Sequence, residues 1–402
     1  MAKEEKKAPK LRFNGYTNDW EHVKSKYLFE NISLKGFQDL PVLSVTQDKG
    51  VVYRDNLDID IKYDLSTLKN YKLVQPGDFI ISLRSFQGGF ETSYLTGITS
   101  PAYTIFNFID NQDKDHAFWQ YLFKRIDFIN SLKRVTFGIR DGKAISFSQF
   151  GDVKVKYPSF DEQKHIATAL TKLDNTIQLH ENYLQLLYNF RSFLLQKMFS
   201  INDTFPNLRF KQFNDKWKYK KLGEVADIVS GGTPDTTKHN YWNGSINWYT
   251  PAEVGNKIFV SDSQRKITNI GLENSSAKIL PVGTVLFTSR AGIGKTAILK
   301  EKGSTNQGFQ SIVPKQRFLD SYFIFSMSNI LKKYGESHGA GSTFLEISGK
   351  ELAKAKISLP SITEQKNISK VLFKLDTIIT LQKQKIDNLK KLKQFLLQNM
   401  FI

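Results

Sequence analysis

Two stretches of the chain set apolar residues on a seven-residue beat. The first carries Ile166, Leu170, Leu173, Ile177, Leu184, Leu187, Leu194 and Met198; the second carries Ile368, Leu372, Leu375, Ile379, Ile386, Leu389, Leu396 and Met400. A beat kept up this long predicts long helices with an apolar seam. Each run of about 40 residues, if fully helical, extends roughly 60 Å, more than an ordinary core helix needs. Both runs open with Pro-Ser-x-x-Glu, so Ser159 and Ser361 are placed to cap the helix start while Glu162 and Glu364 reach back to the cap. The seams are broken at matching places, by His180 and Gln382 and by Arg191 and Lys393. Such polar layers penalise other registers, and a lone His180 in a seam reads as a register device rather than a metal ligand.

The rest of the chain has shorter patterns. Short β-prone runs follow turn signals, as in FIISL from Phe79 after PGD and VLFT from Val285 after VGT, and both run on towards an arginine, Arg84 or Arg290. Gly, Thr and Ser are frequent around them, which predicts mixed α/β segments with exposed loops.

The two halves repeat each other. Pro158 to Phe199 returns as Pro360 to Phe401, 202 residues later, with about 19 of 42 positions identical. The segment RFNGYTNDW from Arg12 likewise returns as RFKQFNDKW from Arg209. The chain is therefore a tandem duplication. The interiors between these repeats diverge far more than the helices do, so one scaffold presents two different surfaces. The expected organisation is a disordered, charged lead over residues 1–10, a first head over 11–157, a helical region over 158–205, a second head over 206–359 and a second helical region over 360–402. The fold class is α+β, with two mixed α/β domains separated by two long helices. These helices pair most simply with each other, antiparallel and within one chain, giving a pseudo-two-fold repeat; a parallel zipper between two copies is the competing arrangement.

Composition narrows the chemistry. The 402 residues suffice for two cores. Lys and Arg outnumber Asp and Glu by 57 to 39, a net charge of +18, and 31 Phe, 16 Tyr and 5 Trp leave rings to spare beside basic loops. That balance suits a polyanion, nucleic acid above all. With no cysteine, disulfides, zinc ribbons and thiol nucleophiles are excluded, and the six histidines are scattered without metal-ligand spacing. No apolar run is long enough for a signal peptide or a membrane span, so a soluble, cytoplasmic protein is expected.

Catalytic motifs are missing. GIGKT at Gly292 to Thr296 lacks the first glycine of a phosphate loop, since Ser289 stands in its place. It reads better as a tight β-turn whose Lys295 and Thr296 face a partner. No two prolines are adjacent, which removes the Asp/Asn-Pro-Pro-aromatic loop of amino-methyltransferases, and Pro234-Asp235 has no acidic-x-Lys partner for a nuclease. The readings from other classes are a self-sufficient NTPase or nuclease, and a stand-alone DNA-binding regulator or coiled-coil scaffold.

Duplicated helices, divergent heads, positive charge and no catalytic motif together resemble the specificity subunit of type I restriction-modification systems. The most specific stretches are SGGTPDTTKHNYWNGSINWYTPAEV from Ser230, SRAGIGKTAI from Ser289, TNQGFQSIVP from Thr305 and the two P-S-x-x-EQ-x-x-I helix openings. The first half departs from that pattern, having no clear GGTP…YW counterpart around Leu34 to Val52. The resemblance implies a non-catalytic subunit whose two target-recognition domains each read one part of a bipartite, asymmetric site in double-stranded DNA. It also implies that the helices set the spacer and dock two methyltransferase subunits, with Ile166, Leu170, Leu173, Ile177, Leu184 and Leu187 and Ile368, Leu372, Leu375, Ile379, Ile386 and Leu389 as the candidates for helix pairing and subunit docking. Restriction subunits would complete the complex. S-adenosylmethionine, ATP and Mg would belong to those partners, with no cofactor or metal in this chain. Candidate DNA-binding residues are Arg84, Gln87, Arg134, Arg140 and Lys143 in the first head. In the second they are Trp242, Asn243, Arg290, Lys295, Asn306, Gln307, Ser342 and Thr343. Basic side chains would hold phosphates while amide and arginine side chains read base edges. Trp242 has an equal structural reading, as packing beneath a loop, and Arg84 and Arg290 as braces at strand ends.

Overall fold

The computed structural model describes residues 7–46, 49–57, 65–81, 89–135, 146–199, 205–290, 292–341 and 345–402, with backbone only for 133–135. Two long helices, Phe160–Met198 and Ile362–Asn399, dominate the secondary structure. Contacts divide the chain into two units, residues 1–181 with 384–402, and residues 182–383. Each unit thus joins one head to one part of each long helix.

In the first unit, strand Glu21–Lys24 pairs antiparallel with Lys154–Tyr157, bringing the start of the head beside the start of the central helix. A four-stranded antiparallel sheet follows in the order Phe29–Ile32, Thr104–Phe108, Phe79–Ile81, Phe90–Thr92. Phe29, Phe79, Phe90, Phe106 and Phe108 fill its buried face and meet Phe118, Trp119 and Phe123 of helix His116–Phe123. Asp115 caps that helix, accepting from the Phe118 amide at 2.9 Å. The surplus of phenylalanine is thereby spent in a core, where rings pack edge to face at 5.2–5.4 Å, as Phe29 does on Phe106 and Trp119.

The second unit repeats the plan. Strand Lys218–Lys221 pairs with Lys356–Leu359. Its larger sheet runs Ala226–Ser230, Gln310–Pro314, Val285–Phe287, Thr296–Leu299, in the order of the first head, and adds Phe259–Val260 in parallel at the edge. A second, three-stranded sheet, Arg265–Ile267, Trp242–Tyr249 and Gly303–Thr305, belongs to this head. The first head holds a comparable arrangement despite its different sequence, a hairpin of Leu43–Thr46 with Gly50–Tyr53 that Val42 joins in parallel to Ile98 of strand Gly97–Thr99.

Within each unit the long helices pair antiparallel. In the first, Asp174 meets Lys393 at 2.6 Å and Glu181 meets Lys390 at 2.7 Å, so numbers rise along one helix as they fall along the other. In the second, Arg191 holds both carboxylate oxygens of Asp376, and Lys383 lies over the ring of Tyr188. Residues 174 and 376, like 191 and 393, are 202 apart, so one ion pair occurs twice with its cation changed from Lys to Arg. The parallel zipper is set aside by this pairing. Ile166, Leu170 and Ile177 are buried, as are Leu187, Ile368, Leu372, Leu375, Ile379 and Ile386, while Leu173, Leu184 and Leu389 are half-buried. The seam residues nearest the helix starts, Ile166 with Leu170 and Ile368 with Leu372, join the cores of the heads they follow.

One sequence expectation needs correction. Glu162 and Glu364 do not spend their carboxylates on the helix caps. Arg12 grips Glu162 with two bonds of 2.7 Å, and Arg209 grips Glu364 with two more of 2.7 Å. Both carboxylates are 1% exposed. The repeated RF…W segments and the repeated helix openings are therefore two ends of one clasp, with the flat guanidinium matching the carboxylate as only Arg can. Beside it, Gln163 and Gln365 each accept from the amide of a helix-capping aspartate, Asp115 at 3.2 Å and Asp320 at 3.0 Å.

Helix ends cross between the repeats. Phe401, just past the C-terminal helix, stacks on Phe118 in the first unit, and Phe199, just past the central helix, packs on Phe323 in the second. The Leu11 amide donates to the Asn399 carbonyl at 2.8 Å, and the Leu208 amide to that of Lys197 at 2.8 Å. Of the expected lead, residues 1–6 lie outside the described residues. Lys7 accepts from the Trp20 amide at 3.0 Å.

Candidate nucleic-acid interface

The second head gathers its candidates around two loops that touch. Residues 231–235 leave strand Ala226–Ser230, and residues 306–308 follow strand Gly303–Thr305. The Gly232 amide donates to the Thr305 carbonyl at 2.9 Å. A Cβ on Gly231 would stand 2.0 Å from the Asn306 carbonyl oxygen, and one on Gly232 would stand 2.3 Å from the Ala277 amide nitrogen. The paired glycines are thus a requirement of close backbone approach. Across the contact, the Thr233 hydroxyl donates to the Gln307 side-chain oxygen. That bond leaves the exposed Gln307 amide NH2 pointing elsewhere as a donor. Asn306 folds inwards, its side-chain oxygen accepting from the Gly308 amide at 2.9 Å. It shapes the loop.

Trp242 is buried, so its packing role is the one realised. Its indole NH donates to the Asp235 carbonyl at 3.1 Å, and its ring meets Trp248 edge to face at 5.0 Å. Trp248 in turn donates to the Gly232 carbonyl at 2.8 Å. The two indoles therefore tie the three-stranded sheet to the 231–235 loop. Asn243 is exposed at φ +60°, in the irregular stretch between Trp242 and Ile246. Its neighbour Gly244 lies so close to strand Arg265–Ile267 that a Cβ would stand 2.5 Å from the Ile267 carbonyl oxygen.

Sequence reasoning missed Arg265. It lies directly opposite Trp248 in the strand register, and its guanidinium carbon sits 3.7 Å from the ring centroid of Trp242 and 5.5 Å from that of Trp248. At 3.7 Å a flat cation can only be lying on the ring face. The residue is exposed, and nothing in SDSQRKI marks it as special.

Arg290 and Lys295 belong to the adjoining hairpin between Val285–Phe287 and Thr296–Leu299. Arg290 is half-buried and follows Ser289, whose amide donates to the Gly308 carbonyl at 2.8 Å, so it borders the 306–308 loop. Lys295 lies elsewhere, exposed, with its stem against Gly255. It lines a cleft of about 460 Å³ together with Lys257, Lys332 and Glu336. The amides of Gly294 and Lys295 both turn inwards to Thr288, at 3.0 and 2.9 Å, so the GIGKT turn spends them on its own shape. Thr296, expected to face a partner, is buried and shares a hydrogen bond of 2.9 Å with Ser328. All four positions of its strand, Thr296–Leu299, are buried, so both faces of the strand are covered.

Arg84, Gln87, Arg140, Lys143, Ser342 and Thr343 lie outside the described residues, as does the side chain of Arg134. The strands around Arg84 hold the register of those around Arg290, with Phe79 opposite Thr92 and Val285 opposite Ile298. Among the described residues no cluster of acidic and histidine side chains could hold a metal ion. No described helix is long and apolar enough to cross a membrane.

A chain built of two such heads on an antiparallel helix pair belongs to a family already defined. The chain is a member of the type I restriction modification DNA specificity domain family, matched twice, over residues 20–189 and 214–391. It is 36% identical over 189 residues to the MjaIX specificity subunit of Methanocaldococcus jannaschii, covering 46% of this chain and 44% of that one. It is 31% identical over 180 residues to the EcoR124I/EcoR124II specificity subunit of Escherichia coli, covering 42% and 43%. The matched stretch thus spans less than half the length of each of these relatives. The fold is that of the type I restriction-modification S subunit from M. genitalium, with a TM-score of 0.61 at 15% identity over 98% of this chain and 99% of that one.

Proposed function

We propose that this chain reads DNA for a type I restriction-modification complex, each head gripping one part of a bipartite, asymmetric site. The observation that carries this reading is the contrast between frame and surface. The frame is duplicated pair for pair: Arg12 with Glu162 and Arg209 with Glu364, Asp174 with Lys393 and Asp376 with Arg191. The reading surfaces are not: Trp242, Trp248 and Arg265 stand on the three-stranded sheet of the second head, whereas the hairpin Leu43–Thr46 with Gly50–Tyr53 in the first carries no tryptophan. A duplicated frame with unlike surfaces is suited to two different half-sites. The net charge of +18 supports phosphate contacts over both.

On this reading the helices set the spacer between half-sites and dock two methyltransferase subunits. Support comes from large apolar side chains left exposed on the helices, Tyr183, Leu186, Phe190 and Phe193 in the second unit and Leu392 and Phe395 in the first. Spacing of three and four residues puts the first four on one stripe, the form of a docking face. Methyl transfer and DNA cleavage would be the work of the partners, which would bring S-adenosylmethionine, ATP and Mg. The assembly would act in the cytoplasm.

Methylome sequencing of cells expressing this chain with its methyltransferase partner tests the proposal. One modified bipartite motif is expected, and exchanging residues 209–357 for another head should change one half of it alone. Equal change in both halves, or no sequence-selective methylation, would refute the reading.

A further inference from the structure

We infer that Arg265 is a base-reading side chain that selects guanine within the half-site bound by the second head. The inference rests on the DNA-reading proposal and adds to it a residue and a base. Arg265 is exposed, yet its guanidinium is held flat on Trp242 at 3.7 Å. Trp242 is itself immobilised, by its bond to the Asp235 carbonyl at 3.1 Å and by Trp248 at its edge. Stacking occupies the face of the cation and leaves its edge, which carries the N–H donors, turned to solvent. The neighbouring carboxylate, Asp262, is engaged by Lys266 at 2.9 Å, and Arg265 forms no ion pair with any described residue.

An arginine with a fixed plane and free edge is a bidentate donor built in advance, so little entropy remains to be lost on binding. In the major groove, guanine alone offers two acceptors side by side, O6 and N7; adenine and cytosine place a donor there and thymine a methyl group. A phosphate contact needs no such fixed plane, and a flexible lysine can make it as a point charge. Two exposed amide side chains share this head's surface, Asn243 on the irregular stretch beside Trp242 and Gln307 held by Thr233. They are the residue types that pair with adenine edges.

The test uses the assembled complex of this chain with its methyltransferase subunits, as wild type, Arg265→Lys and Arg265→Ala. Each is measured by methylome sequencing and by binding to duplexes in which every base of the site is replaced in turn. Arg265→Lys keeps the charge and loses the fork. It should keep its salt dependence and its reading of the first half-site, while discrimination at a single guanine of the second falls at least about tenfold. Arg265→Ala should lose the same discrimination and leave every other position read as before. If Arg265→Lys keeps the full motif, the arginine is a phosphate contact and the inference fails. If either variant loosens every position of the second half-site together, Arg265 is a cap on the tryptophans and the inference fails as well. A wild-type complex that methylates without sequence preference would instead overturn the DNA-reading proposal, and this inference with it.

Discussion

Replacing Arg209 by methionine isolates the clasp that ties a head to its helix. Glu364 is 1% exposed and takes two bonds of 2.7 Å from Arg209, with the Trp217 indole NH, at 3.4 Å, the one further side-chain donor among the described residues. Arg209→Met removes both short bonds and strands a buried carboxylate, a loss that costs roughly 3–5 kcal/mol in comparable pairs. The Arg209 side chain is 13% exposed, so water reaches part of the gap and the lower end, about 3 kcal/mol, is expected. Arg209→Met with Glu364→Gln removes the stranded charge and should recover all but about 1 kcal/mol. Because the units share helices, global melting need not be two-state, and hydrogen exchange read peptide by peptide is the suitable assay. Amides around 208–222 and 362–372 should lose protection by about 150-fold in the single variant, the equivalent of 3 kcal/mol. Those around 11–24 and 160–170, held by the intact Arg12 clasp, serve as the control. A loss below tenfold, or a double variant as damaged as the single, would refute the reasoning.

Two further outcomes are expected. Burial holds the His116 imidazole below its ordinary value of 6.5, against the pull of the Gly77 carbonyl, Asp115 and Asp78. As pH falls through 6.5 the unfolded chain takes a proton that the folded one refuses, so the first unit should lose stability from there downwards. His116→Phe keeps the stacking on Phe79 and should flatten that slope between about pH 7.5 and pH 5.5 in hydrogen exchange; parallel curves would contradict the assignment. Asp78 and Glu91, both raised by burial, work in the opposite sense at lower pH and are common to both proteins. The two docking faces should also be unequal, because Lys385 and Asn388 stand in the first unit where Tyr183 and Leu186 stand in the second. Native mass spectrometry during titration with the methyltransferase subunit should show a one-subunit intermediate, which Leu186→Asn with Tyr183→Lys abolishes. Direct passage to the two-subunit complex would count against it.

The long helices, their boundaries and the duplication were legible because the heptad beat and the 202-residue repeat are properties of the chain alone. Antiparallel pairing was inferred from topology, and the ion pairs Asp174 with Lys393 and Asp376 with Arg191 supply its register. The role of Glu162 was misread for a physical reason. Ser-x-x-Glu fits a capping box as written, and only folding brings Arg12, 150 residues away, to the carboxylate. Trp242 and Thr296 show the same limit on a smaller scale, since their burial depends on partners that only folding brings to them, Asp235 and Trp248 for one and Ser328 for the other. Arg265 was invisible because its significance lies in the indole beneath it.

The crossing of helix ends also orders the folding of this protein in time. Residues 384–402 emerge from the ribosome only after the whole second head, yet they supply Phe401 to the core around Trp20 and Phe118 and the carbonyl that receives Leu11. The first head must therefore wait, partly bare, through the synthesis of some 200 further residues, which makes it the half that most needs a chaperone during translation.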